Sequence, residues 1–182
     1  MTVLFINSCV RENSRTLAIA RDYLGRCSGE IVELNLEKER IQPLNAEHLA
    51  RREHLIHNEL WNDEMFVYAH QFANADEIVI AAPFWDLGFP ALLKIYFEAI
   101  TVSGITFRYN EGRPQGFCKA KKLTYITTSG GKMNPDFGYD YIKALAQNFY
   151  GIRETECIYA ENLDVDCVSC EELFDKCKIK TI

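Results

Sequence analysis

A doubly wound α/β fold is the class this sequence predicts. Short apolar runs alternate with stretches of helical spacing from one end of the chain to the other. The run Ile78-Val79-Ile80-Ala81-Ala82 is apolar on both faces, as a central strand of a parallel sheet must be. The length of 182 residues, with 48% hydrophobic and 25% charged residues, suits one buried core. Residues 1–182 are therefore expected to form a single domain.

The elements follow in order. Thr2 to Asn7 is an apolar run that ends in a polar loop and predicts the first strand. Leu17, Ala18, Ala20 and Leu24 repeat at helical spacing, so residues 14–26 read as a helix, with Asn13 or Ser14 as N-cap. Glu30 to Leu36 alternates through Ile31, Val32, Leu34 and Leu36 and predicts strand two. A charged loop runs to Pro43, and residues 45–75 are helical in character, most strongly from His57 to Ala75. Glu77 to Ala82 is strand three. Pro90 to Val102 reads as a helix with proline in its first turn, at N1. Residues 104–118 suggest a hairpin around Asn110-Glu111-Gly112. Lys122 to Thr128 predicts strand four, Asp136 to Tyr150 a helix stopped by Gly151, Thr155 to Ala160 strand five, and Cys167 to Lys178 a final helix. Five parallel strands with right-handed crossovers fit the flavodoxin-like order 2-1-3-4-5, with helices on both faces.

Charge and composition exclude several classes of partner. A formal net charge of −6 argues against nucleic acid and anionic membrane, which both require basic patches. No basic n-region precedes the short N-terminal apolar run, and no apolar stretch approaches the ~20 residues that span a bilayer. The expected location is the cytoplasm. Seven cysteines, an odd number, then read as free thiols.

In a parallel sheet, all strand-to-helix loops emerge at one edge, and three of them here carry distinctive chemistry. The first, Asn7 to Thr16, lacks both the G-x-G-x-x-G and the G-x-x-x-x-G-K-[ST] patterns, against a dinucleotide-binding domain or a P-loop. It offers Ser8, Ser14 and Thr16 hydroxyls with Arg11 and Arg15. This set suits a phosphate at a helix N-terminus, or else a helix cap flanked by solvated arginines. The second loop, Pro83-Phe84-Trp85-Asp86-Leu87-Gly88-Phe89, holds three aromatics in six residues. These are either core residues or the wall of a flat ligand. The third, Thr127-Thr128-Ser129-Gly130-Gly131, permits close backbone approach, or is an ordinary Gly-Gly turn. Together the three describe a site for a flat, phosphorylated mononucleotide such as FMN.

These residues resemble the FMN-dependent NADH-azoreductases and NAD(P)H quinone oxidoreductases of the flavodoxin-like superfamily. Ser8 with Ser14-Arg15-Thr16 carries part of the likeness. Ala82-Pro83-Phe84-Trp85-Asp86-Leu87 with Leu93-Lys94 and Tyr96-Phe97 carries another part, and Gly104-Ile105-Thr106-Phe107-Arg108-Tyr109 with Thr128-Ser129-Gly130-Gly131 is quite specific to that family. The likeness covers most of residues 1–131 in scattered pieces. It implies FMN phosphate contacts at Ser8, Ser14, Arg15 and Thr16. It implies ring and ribityl contacts at Pro83, Phe84, Trp85, Asp86 and Leu87, and at Thr128, Ser129, Gly130 and Gly131. Tyr109 and Phe149 would shape the pocket for the electron acceptor. A homodimer with two sites at its interface, NADH or NADPH as reductant, and ping-pong hydride transfer without a catalytic acid or base complete the implied picture. Asp86 stands where the family usually has Asn, and a carboxylate near the flavin would disfavour its anionic reduced form. The competing expectations are a flavodoxin-type electron carrier and an FMN reductase that releases free flavin.

The tail places Cys167, Cys170 and Cys177 close together, with Cys157 upstream. This spacing suits a zinc or iron–sulfur site, or ordinary packing of small apolar side chains, which is the expected case. His48, His54, His57 and His70 do not converge and are expected at the surface. The acidic residues from Glu154 to Asp175 read as a solvated face.

Overall fold

The computed structural model describes residues 1–169 and 172–181. Its frame is a sheet in which β1 (Thr2–Asn7), β2 (Glu30–Asn35) and β3 (Glu77–Ala81) pair in parallel through β1 at the centre. Between them come α1 (Arg15–Leu24), α2 (Ala46–His57), a 3₁₀ turn (Glu64–Phe66) and α3 (Val67–Asn74). After α4 (Ala91–Ile100) an antiparallel hairpin, β4 (Phe107–Asn110) and β5 (Arg113–Gly116), stands apart as its own two-stranded sheet. The main sheet resumes with β6 (Lys122–Thr128). It continues past α5 (Asp136–Leu145) and a π turn (Ala146–Tyr150) to β7 (Glu154–Ala160) and β8 (Lys178–Thr181).

The order is β2-β1-β3-β6-β7-β8, so the expected five-stranded sheet is a six-stranded one. The first five strands keep the parallel flavodoxin-like order. The sixth is antiparallel and comes from the segment expected to be a final helix. Turns occupy the described residues from Leu163 to Cys167 and from Glu172 to Lys176, and then β8 pairs with β7 in register Ile158↔Ile179. Cys167 sits at φ 47°, which no right-handed helix can include. The backbone groups along the β7 edge find partners in β8 instead of facing solvent.

Period-two alternation divides the core. Leu4, Ile6, Ile78 and Ile80 point to one face, against Phe72 of α3, Leu93 and Tyr96 of α4 and Ile142 of α5. Val3, Phe5, Val79 and Ala81 point to the other, against Ile19, Ala20 and Leu24 of α1. There Leu163 and Leu173 from the C-terminal turns lie where the expected helix would have packed.

Two other expectations are corrected. The helical region 45–75 breaks after His57, where Glu59 adopts φ 54° and Leu60 is left 49% exposed, and it restarts only at Val67. Pro90 is the N-cap of α4, not its first helical residue. Gly151, at φ 78°, ends the π turn in the left-handed conformation that favours glycine, as expected. Among the described residues no helix is long and apolar enough to cross a membrane.

Candidate cofactor site

A cleft of about 480 Å³ opens at the carboxyl edge of the parallel strands, between the loops that follow β1, β3 and β6. That is the edge and the size at which α/β proteins hold small ligands.

The β1 loop supplies its polar end. Ser14 caps α1, its hydroxyl accepting from the Leu17 amide at 3.2 Å. The amides of Arg15 and Thr16, in the first turn, therefore lack an intrahelical acceptor, and the helix dipole adds partial positive charge there. Ser14 and Arg15 line the cleft together with Arg11 and Asn13. The Thr16 hydroxyl is turned inward and bonds the Thr128 hydroxyl at 2.6 Å. Ser8, 1% exposed, does not line the cleft, and among the described residues its buried hydroxyl has no hydrogen-bond partner. Cys9 also lines the cleft. Burial pushes its thiol up to about 11, against a smaller opposing effect of the Ser14 hydroxyl, so it is neutral at pH 7 and a poor nucleophile.

The β3 loop supplies an aromatic wall. Pro83, Phe84 and Trp85 line the cleft and are half-buried. The Phe84 amide donates to the Thr128 carbonyl at 3.0 Å, which ties this loop to β6. Trp85 to Gly88 form a tight turn closed by two hydrogen bonds, Gly88 N–H to Trp85 carbonyl at 2.8 Å and the reverse at 3.2 Å. Its central residues Asp86 and Leu87 both have positive φ, 51° and 60°, the signature of a type I′ turn. Asn and Asp both tolerate that conformation, so Asp86 preserves the turn while adding a charge. Asp86 and Leu87 form the exposed rim, with Leu87 69% exposed.

The β6 loop closes the site. Thr128 and Gly130 line the cleft. The Ser129 amide donates to Ala160 and its hydroxyl to the Gly131 carbonyl, while among the described residues the amides of Gly130 and Gly131 have no protein acceptor. A methyl group on Gly131 would meet nothing within 4 Å. One on Gly130 would lie 1.9 Å from an Asp164 carboxylate oxygen, so the group that approaches Gly130 closely is part of the protein.

Asp164 is the lining residue that sequence reading missed, having assigned it to a solvated acidic face. It follows β7, and its carboxylate pairs with Arg15 at 2.5 Å across the cleft. No local pattern marks it, because its partner is 149 residues away. Tyr109 and Phe149 do not line this cleft. Both pack edge-on against Phe107, at 5.4 and 5.0 Å between ring centroids, and Tyr109 is 62% exposed on the hairpin.

Residues 1–178 match the family model described as having the flavodoxin-like fold. The chain belongs to this family. It is 36% identical over 180 residues to a protein of Clostridium perfringens named FMN-dependent NADH:quinone oxidoreductase, covering 93% of this chain and 90% of that one. A protein of the same name from Lachnoclostridium phytofermentans is 40% identical over 139 residues, covering 75% and 70%. An FMN-dependent NADH-azoreductase of Bacillus anthracis, solved in complex with FMN, superposes with a TM-score of 0.76 at 22% identity over 96% of this chain and 93% of that one. The likeness to that structure is one of fold.

Of the other sequence-singled residues, Cys157 is buried and Cys167 exposed, and Cys170 lies outside the described residues. His54 and His57 are exposed, while His48 and His70 are half-buried, with the His70 Nε2 2.8 Å from the Trp61 carbonyl oxygen.

Proposed function

We propose that residues 1–182 act as one FMN-binding domain and that the chain is an FMN-dependent NAD(P)H oxidoreductase reducing quinones, azo compounds or similar flat, electron-poor acceptors. The observation that carries this reading is the convergence of two donor sets and an aromatic wall at one cleft. They are the uncapped amides of Arg15 and Thr16 with the Arg11 and Arg15 side chains, the Phe84–Trp85 wall, and the amides of Gly130 and Gly131, which have no acceptor among the described residues. The 36%-identical relative named for this activity supports it. The buried Ser8 hydroxyl in the β1 loop, without a partner among the described residues, is consistent with a polar ligand near that loop.

When bound, FMN would supply hydride chemistry, accepting two electrons from the nicotinamide and passing them to the acceptor. The chain's own residues bind and orient. Arg11, Arg15 and the first turn of α1 would hold the phosphate dianion. Phe84 and Trp85 would exclude water from one end of the cleft, and Pro83, with Asp86 and Leu87 on the rim, would frame the ring. The Gly130 and Gly131 amides, with Thr128 and Ser129 beside them, would stabilise negative charge on the reduced ring. The Asp86 carboxylate would oppose that charge. No side chain is assigned as acid or base.

The reading includes a cytoplasmic homodimer with two sites at its interface, in which Tyr109 and Phe149 shape the acceptor pocket. The exposure of Tyr109 on the hairpin leaves it free to meet a second copy.

The test is an absorbance spectrum of the purified protein, before and after NADH and then after a quinone. A flavin band that bleaches with NADH and returns with quinone is expected. Colourless protein that leaves the fluorescence of added FMN unquenched overturns the reading.

A further inference from the structure

We infer that Asp164 is an affinity-determining residue that competes with the cofactor's phosphate for Arg15. This rests on the flavin reading of the cleft. The Asp164 backbone is fixed, since the amides of Asn162, Leu163 and Asp164 donate to the carbonyls of Gly131, Ser129 and Gly130 at 3.0, 3.3 and 2.9 Å. Its side chain is 70% exposed and has room to turn, whereas that of Arg15 is only 29% exposed and is held beside the cleft. From this fixed base the carboxylate reaches Arg15 at 2.5 Å and covers Gly130. It thus engages, as an internal anion, the cation that a phosphate at the α1 N-terminus would use.

Like charges cannot share one guanidinium in a cleft without cost, because their repulsion at short range is only partly screened. Phosphate binding therefore requires Arg15 to exchange Asp164 for the ligand. The carboxylate lowers affinity for phosphorylated flavin and leaves unphosphorylated flavin unaffected. The three loops themselves hold two anionic side chains, Glu12 and Asp86 on the far rim, and neither pairs with Arg15 among the described residues.

The experiment is fluorescence titration of FMN and of riboflavin into wild type, Asp164→Asn, Arg15→Gln and the double variant. Asparagine keeps the size of the side chain and removes its charge. Asp164→Asn should tighten FMN roughly threefold to tenfold, the range of a partly exposed ion pair plus relieved repulsion, with riboflavin unchanged. In the Arg15→Gln background the gain should largely vanish. FMN affinity unchanged or weakened in Asp164→Asn overturns the inference, as does equal tightening of both flavins. If Asp164→Asn fails to fold, Asp164→Ser is held to the same split between the two flavins. Wild type that binds neither flavin overturns the flavin site itself, and this inference with it. Wild type that binds FMN, with an Asp164 variant that shows no split between the flavins, overturns the inference alone.

Discussion

The hydroxyls of Thr16 and Thr128 meet at 2.6 Å, both buried, although 112 residues separate them. The bond joins the first turn of α1 to the end of β6 and sets the width of the cleft between its polar end and the Gly130 loop. Thr16→Val or Thr128→Val keeps the shape and leaves the other hydroxyl buried without a partner, at a cost of about 1–3 kcal/mol. The double variant should cost less than the sum of the two. Urea unfolding of the four proteins measures this, and additive single effects would show that the bond contributes nothing.

Leu87 adopts φ 60° with its side chain 69% exposed, so the turn bears a left-handed leucine without compensating burial. Leu87→Gly should stabilise the fold by about 0.5–1 kcal/mol, the relief of left-handed strain less the added freedom of glycine when unfolded. Thermal unfolding reads the gain. A lower melting temperature would mean that Leu87 makes contacts worth more than its strain.

Gly116 and Gly131 should respond in opposite ways to alanine. At Gly116 a Cβ would lie 2.1 Å from the Tyr150 carbonyl carbon and 2.2 Å from the Gly151 nitrogen, both backbone. Backbone cannot rotate aside, so Gly116→Ala is expected to cost about 3 kcal/mol as β5 lifts from the π turn. Gly131→Ala meets open space and should leave stability within about 0.5 kcal/mol of wild type. Chemical denaturation of both variants decides the contrast.

Glu156 ties the opposite end of the sheet. It accepts from Lys122 at 2.8 Å, Thr124 at 2.8 Å and Tyr23 at 3.1 Å. Burial pushes its carboxyl up, but the Lys122 and Thr124 bonds outweigh that and hold it below the ordinary 4.5. A lowered folded-state value gives stability that is present above 4.5 and lost as pH falls through the folded value. Lys122 is shifted the other way: burial opposes its charge, but the Glu156 bond raises it above 10.5. Its share is present below 10.5 and lost as pH rises through the raised value. Glu156→Gln should be less stable at neutral pH and lose less stability between about pH 5 and about pH 3. Urea midpoints across that range test it, and parallel curves for the two proteins would refute it.

Legibility followed the range of each interaction. The Ser14 cap and the apolar run of β3 could be read because each is decided by neighbours within a few residues. The 58–66 break was hidden because apolar Leu60, Met65 and Phe66 continue the helical spacing, while Glu59 takes a left-handed φ that spacing does not report. Tyr109 and Phe149 were singled out through family likeness, and the structure gathers both around Phe107 beside the hairpin.

Hydrophobic period and turn chemistry, both local properties, were enough by themselves to determine five parallel strands, most of the helices between them, and three unusual loops at one sheet edge. Tertiary structure decided what depends on which strands become neighbours. Lys178–Thr181 is too short to declare itself and becomes a strand because β7 offers an unpaired edge. Asp164 resembles any solvated acid until β7 lies beside β6, and then it faces Arg15 across the cleft. Long-range charge pairing carries no periodicity, so only the folded chain could place that carboxylate in the site.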